Sequence, residues 1–589
     1  MTIRQLEVDG VPALFVEYSG PTIAGLTFRV GQADESLPYR GITHLLEHLV
    51  LHGHGLTDYH YNGSTGPVAT TFHLQGGEDD IVAYLAGVCA SLRALPLDRL
   101  DTERQVLRAE EGGRRESPAE ALALWRYGAR TYGLPAYTEM GLPRITGNDL
   151  WYWVQTWFTR QNAALWLAGE RIPPALRLPL LDGQRRLVPA PTSALRGTPA
   201  YFVGNGEHVA YDGIVRRGVA GSMLSGVLER ELYRSLRQED GNSYTAASAY
   251  AARGDGRATV MAVADSVPGK QDAVLGGFVD VLARLRAGRL AQADLDAVRA
   301  KAEDAMRGPM AEAGRLPARA LDLLTGAPLR SIEELRAEMA ALSLADVHAA
   351  ALEMLDSGLL QVPAGHTADW AGFEAAPTAS DRQVDGARFP SLDDPAVTLV
   401  VGALGVGLDV EGCPPCVVSY AECAIALAYP DGGRHLIGFD GLNVRIEPTI
   451  HPVPPEALRH IDASVAGVLV RQPPRDPRQI PAPRPAPPVD PTAGLRGLPL
   501  VTLPGTPAAR AAAERRSTPL LVGAVAALVL AGVLLCCSGL FTAMVADNSD
   551  PETDIPLDAG AITIMVLGYG GMLVLAAIGV YLLRRRSRK

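Results

Sequence analysis

The chain of 589 residues carries 54 Lys and Arg against 65 Asp and Glu, a formal charge of -11. With no basic stripe interleaved by aromatics, nucleic acid is excluded as an expected partner. The length suits about four domains, and an apolar share of 47% is ordinary for chains that build sizeable cores. Six cysteines, Cys89, Cys413, Cys416, Cys423, Cys536 and Cys537, are too sparse and uneven for a disulfide framework, which fits a reducing compartment. The segment after Arg4 lacks an apolar run, so no cleavable signal peptide is expected.

From Gln5 to Gly31 short β-type runs alternate with turns, as in Ala24-Gly-Leu-Thr-Phe-Arg-Val30, and the pattern predicts an α+β domain. Next comes Gly41-Ile-Thr-His44-Leu-Leu-Glu47-His48-Leu. On a helix His44 and His48 lie on one face with Glu47 beside them. Two imidazoles on one rigid element, a third protein ligand and a position left open for water make a catalytic zinc site, and a nearby carboxylate can take that water's proton. Alone, the five residues also fit an amphipathic helix with incidental histidines. His52, His54, His60 and His73 are expected at the surface or rim.

Asn62-Gly-Ser-Thr65 and Thr70-Thr-Phe72 read as a loop leading into a strand. A helix is expected over Asp79–Leu95. Another, carrying Glu103 and Glu110 seven residues apart and hence on one face, should be stopped by Gly112-Gly113. Glu111 is the competing register. The aromatic helix from Leu150 to Phe158 and the run Ala163–Gly169 close the first domain, 1–170, with the aromatics expected in the core. A Pro-, Leu- and Arg-rich linker occupies 171–198. A second α+β unit, 199–370, holds Arg237 and Tyr244, a strand over Ala258–Val263, and helices over Gln271–Arg286 and Gln292–Met306.

Residues 389–470 are β-rich with a helix over Pro455–Leu469, similar in pattern to a small barrel of the pleckstrin-homology kind. Cys413-Pro-Pro-Cys416 reads as a tight turn. A Pro-rich tether, 473–518, leads to two apolar segments, 519–546 and 561–583. The second has 23 residues without a charge, about 34 Å as a helix against a hydrocarbon core of roughly 30 Å. Arg510, Arg515 and Arg516 precede the first, Arg584–Lys589 follows the second, and the loop between them holds only acids. The positive-inside bias therefore predicts a two-helix hairpin in the cell (inner or plasma) membrane, with both ends and the preceding α+β domains cytoplasmic.

The order His-x-x-Glu-His marks the inverzincins, and the stretch resembles the insulinase, pitrilysin and mitochondrial processing peptidase family. That resemblance implies tandem homologous α+β domains and a membrane-anchored zinc metallopeptidase. It implies one Zn2+ per chain on His44, His48 and Glu110, with Glu47 as base and Glu103 supporting a ligand from behind. Glu110 stands 62 residues after His48, closer than is usual in the family, and a shortened connection between His48 and Asn62 would account for most of the difference. Asn62, Thr65, Thr70 and Phe72 resemble the family's edge strand, to which an extended peptide adds as another strand. Arg237 and Tyr244 resemble the family's substrate-holding Arg and oxyanion-donating Tyr. The implied partners are a peptide substrate, the lipid bilayer and a second copy of the chain in a homodimer, with a heterodimer as the alternative. A catalytically silent peptide-binding or scaffold module on a membrane assembly is the rival function.

Overall fold

The computed structural model describes residues 3–52, 61–113, 117–239, 241–308 and 310–482. The chain divides into two units, Met1–Pro485 and Ala486–Lys589, and both expected membrane segments lie outside the described residues. Among the described residues no single helix is long and apolar enough to cross a membrane.

The first domain runs β1 (Arg4–Val8), β2 (Val11–Glu17), β3 (Thr22–Phe28), α1 (Ile42–Leu51), β4 (Tyr61–Thr65), β5 (Thr70–Gly76), α2 (Glu78–Arg93), α3 (Leu100–Gly113), α4 (Pro118–Tyr127), α5 (Gly147–Trp157) and β6 (Ala163–Gly169). Its six-stranded sheet has the order β1-β2-β6-β3-β5-β4. The second domain runs β7 (Ala200–Val203), β8 (Val209–Arg216), α6 (Val219–Leu232), β9 (Ala246–Ala252), β10 (Arg257–Ala264), α7 (Gln271–Arg286), α8 (Gln292–Ala305), α9 (Leu316–Thr325), α10 (Ile332–Ala341), α11 (Leu344–Asp356), β11 (Leu359–Val362) and β12 (Glu374–Ala375).

Its sheet order is β12-β7-β11-β8-β10-β9. Setting aside the added flanking strands β1 and β12, the two sheets repeat one topology: first strand, last, second, fourth, third. In both, the first and last strands pair in parallel and the last and second antiparallel. The topology puts α6 where the first domain has α1, and the His-x-x-Glu-His pattern is absent from α6.

Each half also covers the other's sheet. Leu316, Ala320 and Leu324 of α9 pack on Leu14, Val16, Ala164 and Trp166 of the first sheet. Leu122 and Trp125 of α4 pack on Ala200, Phe202 and Leu359 of the second. Burying these two faces removes from water apolar surface that neither half alone could cover, at roughly 25 cal/mol per Å2. Arg126 of α4 is buried with Asp212 of β8, its Nε 3.1 and 3.2 Å from the two carboxylate oxygens, while its Nη1 donates to the Ser357 carbonyl at 2.8 Å. Such a pair registers the halves against each other, since either member alone would be an uncompensated buried charge.

Residues 171–198 are less independent than a linker. Leu176, Leu178 and Leu180 sit in the first domain's core, and Leu181 bridges to Thr159, because the leucines at every second position point one way along an extended chain. The aromatics of α5 are split. Trp153 and Trp157 pack against the first domain's core, whereas Trp151 and Tyr152 are 37% and 69% exposed, so the expectation that the aromatics are core fails for these two.

The β-rich region forms β13 (Gly386–Pro390), β14 (Val397–Gly402), β15 (Gly405–Val410), β16 (Cys416–Ser419), β17 (Cys423–Ala428), β18 (Arg434–Gly438), β19 (Asn443–Ile446), α12 (Pro455–Ser464) and β20 (Leu469–Arg471). Two four-stranded sheets, β13-β14-β15-β16 and β19-β18-β17-β20, share one core with Ile461 of α12. The helix stops at Ser464, short of the expected Leu469, because Leu469–Arg471 pairs in parallel with β17 instead. Cys413 and Cys416 are free and lie at the β15–β16 turn, where the Cys416 thiol donates to the Asn443 carbonyl. The chain stays attached beyond Pro473. Arg475 reaches Asp431 at 2.8 Å and Glu447 at 2.7 Å, so the Pro-rich tether begins later than its composition suggests.

Candidate metal centre and active site

The zinc-type helix α1 starts at Gly41, whose φ of 98° is left-handed. A side chain there would also meet Glu139 Cβ at 2.9 Å, so glycine is required twice over. The first turn is capped by a buried carboxylate: Glu35 accepts from the Gly41 and Thr43 amides, each at 3.0 Å, and from Arg40 at 3.0 Å. Placing a negative group on the helix's free N–H groups fixes where α1 begins. Leu45, Leu46 and Leu49 are fully buried, which fixes its rotation.

That rotation turns His44 and His48 toward α3. Their rings stand edge to face, centroids 4.8 Å apart. Glu110 Oε2 lies 3.9 Å from His44 Nε2 and 3.7 Å from His48 Nε2, and one ligand atom from each of the three falls within 4.8 Å of the others. A tetrahedral zinc holds such donors about 3.4 Å apart, so the Glu110 oxygen already stands close to that spacing from each imidazole, and no pair in the set is more than 4.8 Å apart. Two imidazoles and one carboxylate are also a donor set zinc takes at catalytic sites. Among the described residues no other His, Cys, Asp and Glu cluster converges this way.

The charge around His44 points the same way. Burial alone would lower its pKa, but the Glu139 carboxylate, with Glu47 and Glu110 further off, outweighs burial and raises it. The site therefore favours a positive charge at its centre. Glu47 is 5% exposed. Burial raises its pKa against the lowering effect of the Thr65 hydrogen bond and the two histidines. Thr65 Oγ1 donates to its Oε2 at 2.5 Å. A buried carboxylate beside such a donor set, its pKa raised by burial, is suited to proton abstraction.

Thr65 belongs to β4, which is the outer edge of the first sheet. Asn62 and Ser64 are exposed, while Gly63 between them is buried over Glu47. A Cβ on Gly63 would come 2.6 Å from Glu47 Oε1. Gly63→Ala is expected to push Glu47 aside and lower kcat roughly 10²-fold, the scale of an ångström's misplacement. Zinc content should hold, so a variant that loses the metal instead would point to collapse of the site.

Thr70 and Phe72 correct the expected edge strand. Both lie on β5, one strand inward, and are fully buried; Thr70 donates to the Val30 carbonyl at 2.9 Å. They share a face with period two, and that face is the core. Glu103 is buried and 3.5 Å from His48 Nδ1, as well as 3.7 Å from His52, which suits a ligand-supporting role. Glu111 faces elsewhere and accepts from the Glu139 amide at 2.6 Å. His73 is half-buried on β5, near Trp166; His54 and His60 lie outside the described residues.

Two features escaped the sequence. Glu139 Oε1 lies 2.9 Å from His44 Nδ1, matching Glu103's relation to His48, and the Glu35–Arg40 pair lies behind it. Glu139 sits in an irregular turn with no spacing to announce it. Glu35 lies six residues before the N-cap Gly41, outside the cap and first-turn positions at which an acid signals a helix start. Arg237 lies on a π-helical turn, Tyr233–Glu239, its guanidinium over Tyr233 at 5.0 Å. Tyr244 is 69% exposed. Among the described residues neither makes a hydrogen bond or ion pair with His44, Glu47, His48 or Glu110, so the structure does not join them to the metal cluster.

No family model matches the chain, and no curated protein matches it in sequence. Solved structures match its fold. A protease from Helicobacter pylori superposes with a TM-score of 0.53 at 18% identity, over 62% of this chain and 99% of the other. The inactive domain of a peptidase M16 from Pseudomonas fluorescens gives 0.52 at 16%, over 62% and 98%. The first half of the periplasmic protease PqqL from Escherichia coli gives 0.50 at 13%, over 64% and 94%. The chain thus has a two-domain α+β fold of the M16 peptidase type, shared by proteases and by an inactive domain.

Proposed function

We propose that the chain is a zinc-dependent endopeptidase that hydrolyses extended peptides, holding one Zn2+ on His44, His48 and Glu110. The observation that carries this reading is the buried Glu47 standing between that donor cluster and the glycine of an edge strand. Zinc, when bound there, supplies Lewis-acid polarisation and a lowered pKa for water. A peptide adding to β4 gains main-chain hydrogen bonds that do not depend on its sequence. Glu47 takes the proton of the attacking water and passes it to the leaving amine. Arg237 holds substrate, and the Tyr244 hydroxyl donates to the developing oxyanion.

The rival reading, a silent peptide-binding module, draws on the inactive domain among the fold's neighbours. It gives Glu47 no task, since strand addition needs no base. Elemental analysis of the purified chain together with a peptide-library digest decides between them: bound zinc with cleavage supports the peptidase, and intact peptides retained by the chain support the binder.

The proposal extends to setting and assembly. The two apolar segments tether the peptidase to the cell membrane with its domains on the cytoplasmic side, and the working unit is a homodimer in which Arg237 and Tyr244 of one copy complete the site of the other. Tethering two chains to one surface raises their effective concentration. Mixing Glu47→Gln chains with Tyr244→Phe chains, each nearly inactive alone, should restore part of the activity, because some mixed dimers carry one intact site. Absence of recovery in demonstrably mixed dimers would refute the shared site.

A further inference from the structure

The connection from α4 to α5 is an irregular stretch, Gly128 to Thr146, that touches the metal cluster on one side and the β-rich region on the other. On the inner side Glu139 meets His44 Nδ1 at 2.9 Å, and Arg40 Nε donates to the Leu134 carbonyl at 3.0 Å. On the outer side the Ala129 amide donates to the Phe439 carbonyl at 3.1 Å. Gln472 Nε2 donates to the Met140 carbonyl at 2.8 Å, and Arg144 Nη1 donates to the Gly467 carbonyl at 2.8 Å. Leu134 packs with Ile425, Ile437 and Val470.

We infer that the β-rich region orients the His44 ring through Glu139, making Glu139 a positioning residue and Gln472 and Arg144 the ties that hold it. The inference rests on the metal reading above and adds to it a dependence on residues outside the peptidase-type domains. An imidazole without a partner on Nδ1 is free to turn about its last side-chain bond, whereas a held Nδ1 directs Nε2 at the cluster. Glu139 holds it, but Glu139 stands in a turn with no helix or strand of its own. The next residue's carbonyl is the one that Gln472 grips. The site therefore has two carboxylate supports of different kinds: Glu103 on α3, within the first domain, and Glu139 on a stretch tied from the far end of the chain.

The test uses the full chain and five proteins: wild type, Glu139→Ala, Glu139→Gln, Gln472→Ala combined with Arg144→Ala, and the triple alanine variant. Zinc dissociation constants are read by competition with a chromophoric chelator, and ligand geometry by the visible spectrum after Co2+ substitution. Glu139→Ala should weaken zinc roughly 10- to 100-fold, the range for lost outer partners. Removing both ties should weaken it about 3- to 10-fold and shift the cobalt bands, yet add less than about twofold when Glu139 is already gone, since the groups act as one network. Glu139→Gln, whose amide oxygen still accepts from Nδ1–H, should recover part of the loss and serves if the alanine variant does not fold. Equal tie effects with and without Glu139, or zinc affinity indifferent to Glu139, would overturn the inference while leaving the metal site standing. A wild-type chain that takes up no zinc would overturn the metal reading, and this inference with it.

Discussion

Glu47→Gln is expected to keep its zinc and lose roughly 10²- to 10⁴-fold in peptide hydrolysis, the usual contribution of a positioned general base. The carboxylate points away from the ligand role. It is held by Thr65 at 2.5 Å on the strand side, while Glu110 supplies the one oxygen among the described residues that lies within 4 Å of the Nε2 atoms of both imidazoles. The amide of Gln fills the same space and can still accept from Thr65, so folding and metal uptake should not change; it cannot take a proton from water. Kinetics on a cleaved peptide, with zinc content measured on the same sample, checks both halves. An active Glu47→Gln protein would remove the mechanism. Because burial raises the Glu47 pKa, activity should fall as pH drops through that raised value. Thr65→Val, which removes a bond favouring the charged form, should move this acid limb to higher pH.

How much of this was readable in the residues follows from the range of each interaction. The His44, Glu47 and His48 face is set by helix periodicity alone, and α1 presents it as read. The expected helix over Asp79–Leu95 appears as α2, Glu78–Arg93, and Gln271–Arg286 appears as α7 with the same bounds, because both carry regular apolar spacing. Thr70 and Phe72 went astray for a local reason: an alternating strand beside an edge strand has the same residue pattern as the edge itself, and only the sheet order separates them. Glu139 was out of reach for a non-local one. It is 95 residues from His44, in a turn, and its relation to the ring depends on how α5 and the β-rich region close around it. The exchange of α4 and α9 between the two sheets is likewise a packing outcome, since each helix is amphipathic whichever sheet it covers.

The register of α3 carries the other large effect. Glu110 and Glu111 are neighbours, and on a helix neighbours diverge by about 100°, so only one can face α1. Glu110 Oε2 lies within 4 Å of both imidazole Nε2 atoms with half its side chain exposed, so it is the one of the two that could hold a metal together with them. Glu111 instead accepts the backbone amide of Glu139 at 2.6 Å, one step removed from the cluster. Glu110→Gln should therefore cost more zinc affinity than the roughly 10- to 100-fold expected of outer partners, and Glu111→Gln should stay within that range. The first substitution removes a negative ligand and leaves a weaker neutral oxygen. The second exchanges one acceptor for another on the same amide, disturbing Glu139 only through its backbone. Elemental analysis after dialysis, followed by chelator competition, separates the two. If Glu111→Gln strips the metal and Glu110→Gln keeps it, the helix is rotated by one residue from the position described, and the convergence of His44, His48 and Glu110 is not the metal site.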